Sequence, residues 1–345
     1  MAAVEHAGKR VEGVAVEERR LRPAGHAVVI VATALLVAAL LGARGLRKTA
    51  TIQEPGVRRD LALAVSRPLE GLTHAVLLDR PRALLKEALG RTDDDRVATA
   101  ILLPREPPRH KATQRPRRPP ALPTPVVTRA HPLHVWIVGD SLAVAPGYSL
   151  TRLGASLPLE ILPVEGRVST GLERPDVYDW FARIGEVAPQ LRGGVAVLVF
   201  GGNDDHSYMT GLPAGTSIGV FGTRSWIHEY ARRVGGVMDE LRRAGAHIVW
   251  IGLPITRDSA RNARYELLNR ISADAASRRK PWVAYVDTYR LLADAHDHYA
   301  DYRATGRGQL VRLRAPDGIH YEEAGADLVA QRVIDALRRS FRFRR

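Results

Sequence analysis

Three features of the sequence predict an α/β fold. Short Val- and Ile-rich runs recur, each stops at turn residues, and helical periods separate them. The runs are "HVWIVGD" (134–140), "LEILPVE" (159–165), "GVAVLVFGG" (194–202), "AHIVWIGLP" (246–254) and "WVAYVDTY" (282–289). Between and after them lie apolar patterns of helical period at 144–157, 174–191, 226–244, 259–279 and 322–340. Strands apolar on both faces that alternate with helices belong to a parallel sheet covered on both sides, a three-layer α/β/α sandwich with five strands.

Ahead of that pattern the chain changes character several times. Residues 1–24 form a charged tail of mixed sign. Residues 25–43, "GHAVVIVATALLVAALLGA", carry no charge and show no polar face. At 1.5 Å per residue this run is long enough for a single transmembrane helix. A charged tail in front and a poor small-residue cleavage site behind point to an uncleaved anchor rather than a signal peptide. Five Lys/Arg lie within 20 residues on each side, so charge asymmetry barely selects an orientation. The expectation is a single-pass protein of the cytoplasmic membrane, its bulk outside. Residues 44–103 read as a stalk with short helices over 57–90. Residues 104–132 are Pro-rich and basic, a semi-extended spacer. The α/β domain is expected over 133–345, with its boundary near 132.

The formal charge of +14 is unevenly spread. Residues 1–133 hold 23 Lys/Arg against 13 Asp/Glu, and residues 134–345 hold 28 against 24. A nearly neutral second half argues against a nucleic-acid partner there. The chain has no cysteine, so disulfides, thiolate chemistry and cysteine metal sites are excluded.

In an open parallel sheet, sites form beyond the C-terminal ends of the strands, where strand order reverses. The first strand ends at Asp140 and Ser141. After the second comes "GRVSTGL" with Gly171, after the third "GGNDD" with Asn203, and before the last helix "APDGIHYEEAG" with Asp317 and His320. A serine hydroxyl needs a base to become a nucleophile, and His320 can take its proton. Asp317, three residues earlier, can hold the other imidazole nitrogen. The N–H groups of Ser141 and Gly171 and the amide of Asn203 can receive an oxyanion, and a glycine at 171 allows positive φ or close approach.

This ordered set resembles the SGNH (GDSL-type) hydrolase superfamily. The resemblance rests on Ser141 in "GDSL", Gly171 in "STGL", Asn203 in "GGND" and Asp317 with His320 in "DGIH", and it covers roughly residues 134–340. Phrases such as "STGLERPD", "WIHEYARRV" and "DGIHYEEAG" look like a bacterial envelope branch of unknown function. The resemblance implies a flavodoxin-like sheet and serine ester hydrolysis without metal or other cofactor. It also implies substrates that include acetylated carbohydrates and lipids.

The expected function is therefore a serine esterase that removes a small acyl group from an envelope or extracellular glycan through an acyl-enzyme on Ser141. An O-acyltransferase to a glycan hydroxyl is the alternative, which would need an envelope acyltransferase or cell-wall partner for acyl supply. An inactive envelope binding protein is the third reading. Asp140, His206 and Tyr208 are further candidates for substrate contact. Asp204 is assigned to turn structure. The loop 207–226 is long and Gly-rich and is expected to overhang the site. "HDH" at 296–298 lacks a third ligand and reads as a solvated helix end.

Overall fold

The computed structural model describes residues 24–51, 53, 56–75, 84, 101, 124–213 and 216–344. The chain divides into two units between Asp95 and Arg96. In the first, α1 (Ala24–Leu41), α2 (Ala43–Thr51) and α3 (Val57–Ala75) follow one another. The uncharged run expected to form one helix over 25–43 ends at Leu41. The chain bends by 73° into α2 at Gly42, where apolar residues give way to Arg44, Arg47 and Lys48. No single helix among the described residues is long and apolar enough to cross a membrane, so a single transmembrane helix is not what the structure displays. The bent pair α1 and α2 reaches that length and composition only jointly. Of the expected stalk, α3 is described, whereas the remainder of the short helices expected over 57–90, Leu84 apart, and the spacer 104–123 lie outside the described residues.

The second unit holds the α/β domain. In chain order it contains β1 (Val126–Val127), β2 (Leu133–Gly139), α4 (Val144–Gly154), β3 (Leu159–Ile161), β4 (Glu165–Gly166) and α5 (Trp180–Val187). Then come β5 (Val195–Val199), α6 (Arg224–Ala244), β6 (His247–Ile251), α7 (Ser259–Ser277), β7 (Val283–Val286) and α8 (Thr288–Leu292). The chain closes with β8 (Tyr302–Ala304), β9 (Leu310–Arg312), α9 (Glu323–Ser340) and β10 (Arg342–Phe343). The main sheet runs β3-β2-β5-β6-β7, with β4 also paired to β2, and every pairing in it is parallel. In order of these five strands along the chain this is 2-1-3-4-5, the flavodoxin-like order the resemblance implies. Helix α4 packs against α9, and α5 and α7 each pack against α6, covering the sheet with two helical layers.

Local chemistry sets the ends of the elements. Helix α5 starts at Trp180 rather than 174 because Asp179 caps it, its carboxylate accepting from Phe181 N and Ala182 N, both at 3.0 Å. Strand β5 is buried along its whole length, as a central parallel strand must be. Trp180, Phe200 and Trp250 stack edge to tilted face through the core, with neighbouring ring centroids 5.3 and 6.0 Å apart.

Two pairings have no counterpart in the sequence pattern. The hairpin β8–β9 is too short to show alternation. Strand β1 pairs in parallel with β10 at the chain's other end, and Val127 is buried. The domain boundary expected near 132 therefore moves upstream of Val126, because the last residues of the presumed spacer belong to a strand.

Candidate active site

Strand β2 lies between β3 on one side and β5 on the other, so strand order reverses at its C-terminal end. Ser141 stands there. It opens a short 3-10 turn, Ser141–Ala143, that leads directly into α4. The turn is capped by Asp140, whose Oδ1 accepts from Leu142 N at 2.8 Å. The other oxygen, Oδ2, accepts from Gly202 N at 2.8 Å and ties the end of β2 to the loop after β5. Asp140 is fully buried, and that burial pushes its carboxyl up to about 7 against the pull of the Leu142 and Gly202 N–H groups. The expectation that Asp140 touches substrate is corrected by this geometry. Both oxygens are consumed by backbone, and the residue positions Ser141 instead.

His320 reaches Ser141 from the loop between β9 and α9. Its Nε2 lies 2.8 Å from Ser141 Oγ, and its Nδ1 lies 2.6 Å from Asp317 Oδ2. With Nδ1–H donating to the carboxylate, Nε2 is left as the acceptor for the serine proton. Asp317 Oδ1 accepts from Ile319 N at 2.8 Å and His320 N at 3.0 Å, so the carboxylate also folds its own loop. Partial burial raises the Asp317 carboxyl, but its bonds to the His320 ring and to the two N–H groups outweigh this and hold it at about 2. It is thus ionised throughout the range in which an imidazole works.

The oxyanion side is assembled by a buried carboxylate. Asp204 accepts from Leu172 N at 3.0 Å, Glu173 N at 2.8 Å and Tyr230 Oη at 2.8 Å. Gly171 must be glycine because of this clamp, since a Cβ there would lie 2.0 Å from Asp204 Oδ1. Of the two reasons considered for that glycine, close approach is the operative one. Asn203 donates from Nδ2 to Thr170 O at 2.9 Å, which fixes the amide beside Gly171 and leaves its second N–H to point elsewhere. Thr170 is held in turn by Trp180 Nε1 at 3.0 Å. Ser141, Gly171, Asn203, Asp317 and His320 are the five positions that define the four SGNH sequence blocks. The structure gathers their loops around the mouth of β2.

Residues 134–336, more than half of the chain, match the family described as "Protein of unknown function (DUF459)". The chain belongs to this family. DUF459 is an SGNH-hydrolase-like family, so the superfamily expectation holds. No curated protein matches the sequence. Among solved structures, the DUF459 chain is similar to an acetyl xylan esterase from Geobacillus stearothermophilus, at 16% identity and TM-score 0.44, over 64% of this chain and 99% of that one. It is similar to a carbohydrate esterase family 3 protein from Talaromyces cellulolyticus at 13% identity and TM-score 0.39, over 60% and 99% of the two chains. It is also similar to LAE5, an alpha/beta hydrolase enzyme from the metagenome of Lake Arreo, Spain, at 19% identity and TM-score 0.43, over 59% and 94%.

The other expected contacts in this DUF459 chain fall elsewhere. His206 Nδ1 meets Glu173 Oε2 at 3.3 Å, and that bond, ahead of the opposing effect of burial, raises the imidazole above its ordinary value. Tyr208 bonds to Arg174, whose guanidinium also lies 4.7 Å from the tyrosine ring centroid. Among the contacts described, neither side chain touches Ser141, and both lie at the wall behind Gly171. In the loop 207–226, Met209, Ile218 and Trp226 are buried, and Trp226 stacks on Tyr230 with ring centroids 5.1 Å apart. Trp226, at the loop's end, is thus anchored in the core. His296 and His298 donate their backbone N–H groups to Asp294 Oδ1, each at 2.8 Å, which makes a capped turn.

Two buried arginines escaped the sequence reading. Arg233, in α6, donates to Leu172 O at 2.8 Å and Glu173 O at 3.0 Å, behind the Gly171 loop, and is neutralised by Glu229 at 2.8 Å. Arg314 is fully buried beneath the His320 loop and makes no salt bridge among the described residues. It donates to Ile255 O, to Ile319 O at 2.5 Å and to His320 O at 3.3 Å. The rings of Tyr299 and Tyr321 flank it at 5.3 and 5.7 Å. Nothing in "RAPDGIH" distinguishes this arginine from a solvated one, because its partners are backbone carbonyls.

Proposed function

We propose that this chain is a serine esterase that removes a small acyl group, such as acetyl, from a cell-envelope or extracellular glycan. The observation that carries this reading is the continuous hydrogen-bond chain Ser141 Oγ–His320–Asp317, with distances of 2.8 and 2.6 Å. Ser141 Oγ attacks the ester carbonyl as His320 Nε2 takes its proton, while Asp317 stabilises the imidazolium. The N–H groups of Ser141 and Gly171 and the free N–H of Asn203 receive the tetrahedral oxyanion. His320 then returns the proton to the departing sugar oxygen, leaving an acyl-Ser141. Water, deprotonated by the same imidazole, releases the acid and restores the serine.

Membrane attachment is part of the proposal. It is supported by the uncharged sequence of α1 and by apolar side chains such as Val28, Ile30 and Leu35 that stand exposed on that helix. On this reading the α/β domain works on the outer side of the membrane, beside its glycan.

The test uses the full chain with p-nitrophenyl acetate and butyrate. Turnover is expected, together with covalent labelling of Ser141 by a fluorophosphonate. Ser141→Ala should lower kcat by about 10⁴ or more and remove the label. Turnover retained in a folded Ser141→Ala protein would overturn the mechanism. Acyl transfer to an added glycan in place of release to water would replace hydrolysis by transfer.

A further inference from the structure

We infer that the seam between α6 and α7 is a binding groove for a linear anionic glycan, one carrying regularly spaced carboxylate or phosphate groups. Its basis begins in the sequence. Arg224, His228, Arg232, Gly235, Asp239 and Arg242 fall on one face of α6, because their spacings of three and four residues keep pace with the helical turn. Arg224 and Arg242 bracket five full turns, about 27 Å of helix. Across the seam, α7 and the turn after it present Asp274, Arg278, Arg279 and Lys280. Together these residues enclose a cavity of about 690 Å³, within the size range of ligand sites.

The lining is lopsided in charge. The lining cations Arg224, Arg232, Arg242, Arg278, Arg279 and Lys280 outnumber the lining carboxylates Asp239 and Asp274, and Arg232 is held by Glu229 at 2.7 and 2.8 Å. Both carboxylates are already engaged: Asp239 accepts from Arg279 at 2.6 and 3.0 Å, with Arg242 at 3.4 Å, and Asp274 takes Arg278 at 3.0 Å. Arg224 and Lys280 form no salt bridge among the described residues. The groove therefore holds a surplus of positive charge within a concave surface, where field and counter-charge concentrate.

Its floor costs helix stability. A glycine in mid-helix weakens the helix relative to alanine, yet α6 has Gly235 there. A Cβ at 235 would lie 2.7 Å from Arg279 Nη2. The missing side chain lets the guanidinium lie across α6, fixed by Asp239 and by Ala275 O at 3.0 Å. A fixed Arg279–Asp239 floor, with Arg224 and Lys280 exposed and without a salt bridge among the described residues, is an arrangement for a chain of oxyanions.

Competing occupants fit less well. A bilayer needs a protruding face with exposed apolar groups, whereas Ile227, Ile271 and Trp282 in this groove are buried or half-buried. Single-stranded nucleic acid needs open aromatic faces, and the Trp282 ring packs on His247 with centroids 4.7 Å apart. Arg224 opens α6 on the side of the strand C-termini, the same side as Ser141, so a polymer lying along the seam runs toward the catalytic rim. That functional consequence rests on the esterase reading, whereas binding itself does not.

The experiment measures binding of the full chain to polygalacturonate, phosphorylated dextran and neutral dextran by calorimetry at two salt concentrations. Binding to at least one anionic polymer is expected, weaker at high salt, with none to neutral dextran. The polymer that binds identifies the oxyanion. The double variant Arg224→Glu/Lys280→Glu should lose about tenfold or more in affinity. Arg307→Glu/Arg338→Glu, an equal charge change on other exposed arginines, should bind within about twofold of the parent. Thermal melts establish that both variants are folded. Equal losses in the two variants, no loss in either, or no binding to any anionic polymer would overturn the inference. Binding without ester turnover would sink the esterase reading and leave the groove standing.

Discussion

The two walls that meet at Ser141 are fastened by opposite chemistry. On the nucleophile and oxyanion wall, the buried carboxylates of Asp140 and Asp204 collect backbone N–H groups from separate loops. On the base wall, the buried guanidinium of Arg314 collects the carbonyls of Ile319 and His320, on the loop that carries the base, and of Ile255 after β6. The carboxylates that act also differ. Asp140 is buried and its carboxyl is driven up, whereas Asp317 is half-exposed and its carboxyl is drawn down. One wall is built for rigid placement and the other for keeping a charge ready beside an imidazole.

The largest expected effect beyond the nucleophile itself is on the oxyanion wall. Asn203→Ala should lower kcat by about 10²–10³ with little change in KM, since the amide serves the transition state. An unchanged kcat would remove Asn203 from that role.

Arg314 tests the base wall. Arg314→Met should lower kcat by about 10², because a displaced base costs that much, while fluorophosphonate labelling slows in parallel. Added guanidinium should restore part of the rate by refilling the site. A purely structural role would instead lower the melting temperature without rescue.

The opposed carboxyls predict opposed pH windows. The folded state raises the Asp140 carboxyl from 3.8 to about 7, so between those values it holds a proton that the unfolded chain has released. That contribution is present in acid and is lost as pH rises toward 7. Glu173, lifted by burial to about 7, acts in the same direction. The Asp317 contribution has the other sign, present above about 4 and lost as pH falls toward 2. Urea unfolding across pH should show stability falling from about pH 4 to 7, with a shallower slope in Asp140→Asn. A slope unchanged by that substitution would refute the buried-carboxyl account.

The smallest expected effect concerns the wall behind Gly171. His206→Ala should change kcat/KM by only about twofold, since the imidazole is spent on Glu173. A much larger loss would return His206 to the substrate.

The sequence made the sheet and the five defining site positions legible because both are written locally. A buried parallel strand is a run of Val and Ile, and each candidate catalytic group sits in a loop that such a run or a helix borders. What escaped was written at long range. Asp140 looked available for substrate until Gly202 N, 62 residues away, was found on its Oδ2. Arg314 left no signal because its partners are backbone carbonyls, which carry no mark in sequence. Residues 126–127 looked like spacer because their partner strand lies at the far end of the chain.

That last pairing has a mechanical meaning. Strand β1 lies beside β10, at the opposite end of the chain from its own sequence neighbours, and it precedes the strand that carries Ser141. Tension on the polypeptide ahead of Val126 would load this two-residue clasp before it reached β2. On the membrane-anchored esterase reading proposed above, that clasp would give way before the five-stranded sheet, a fuse between tether and catalyst.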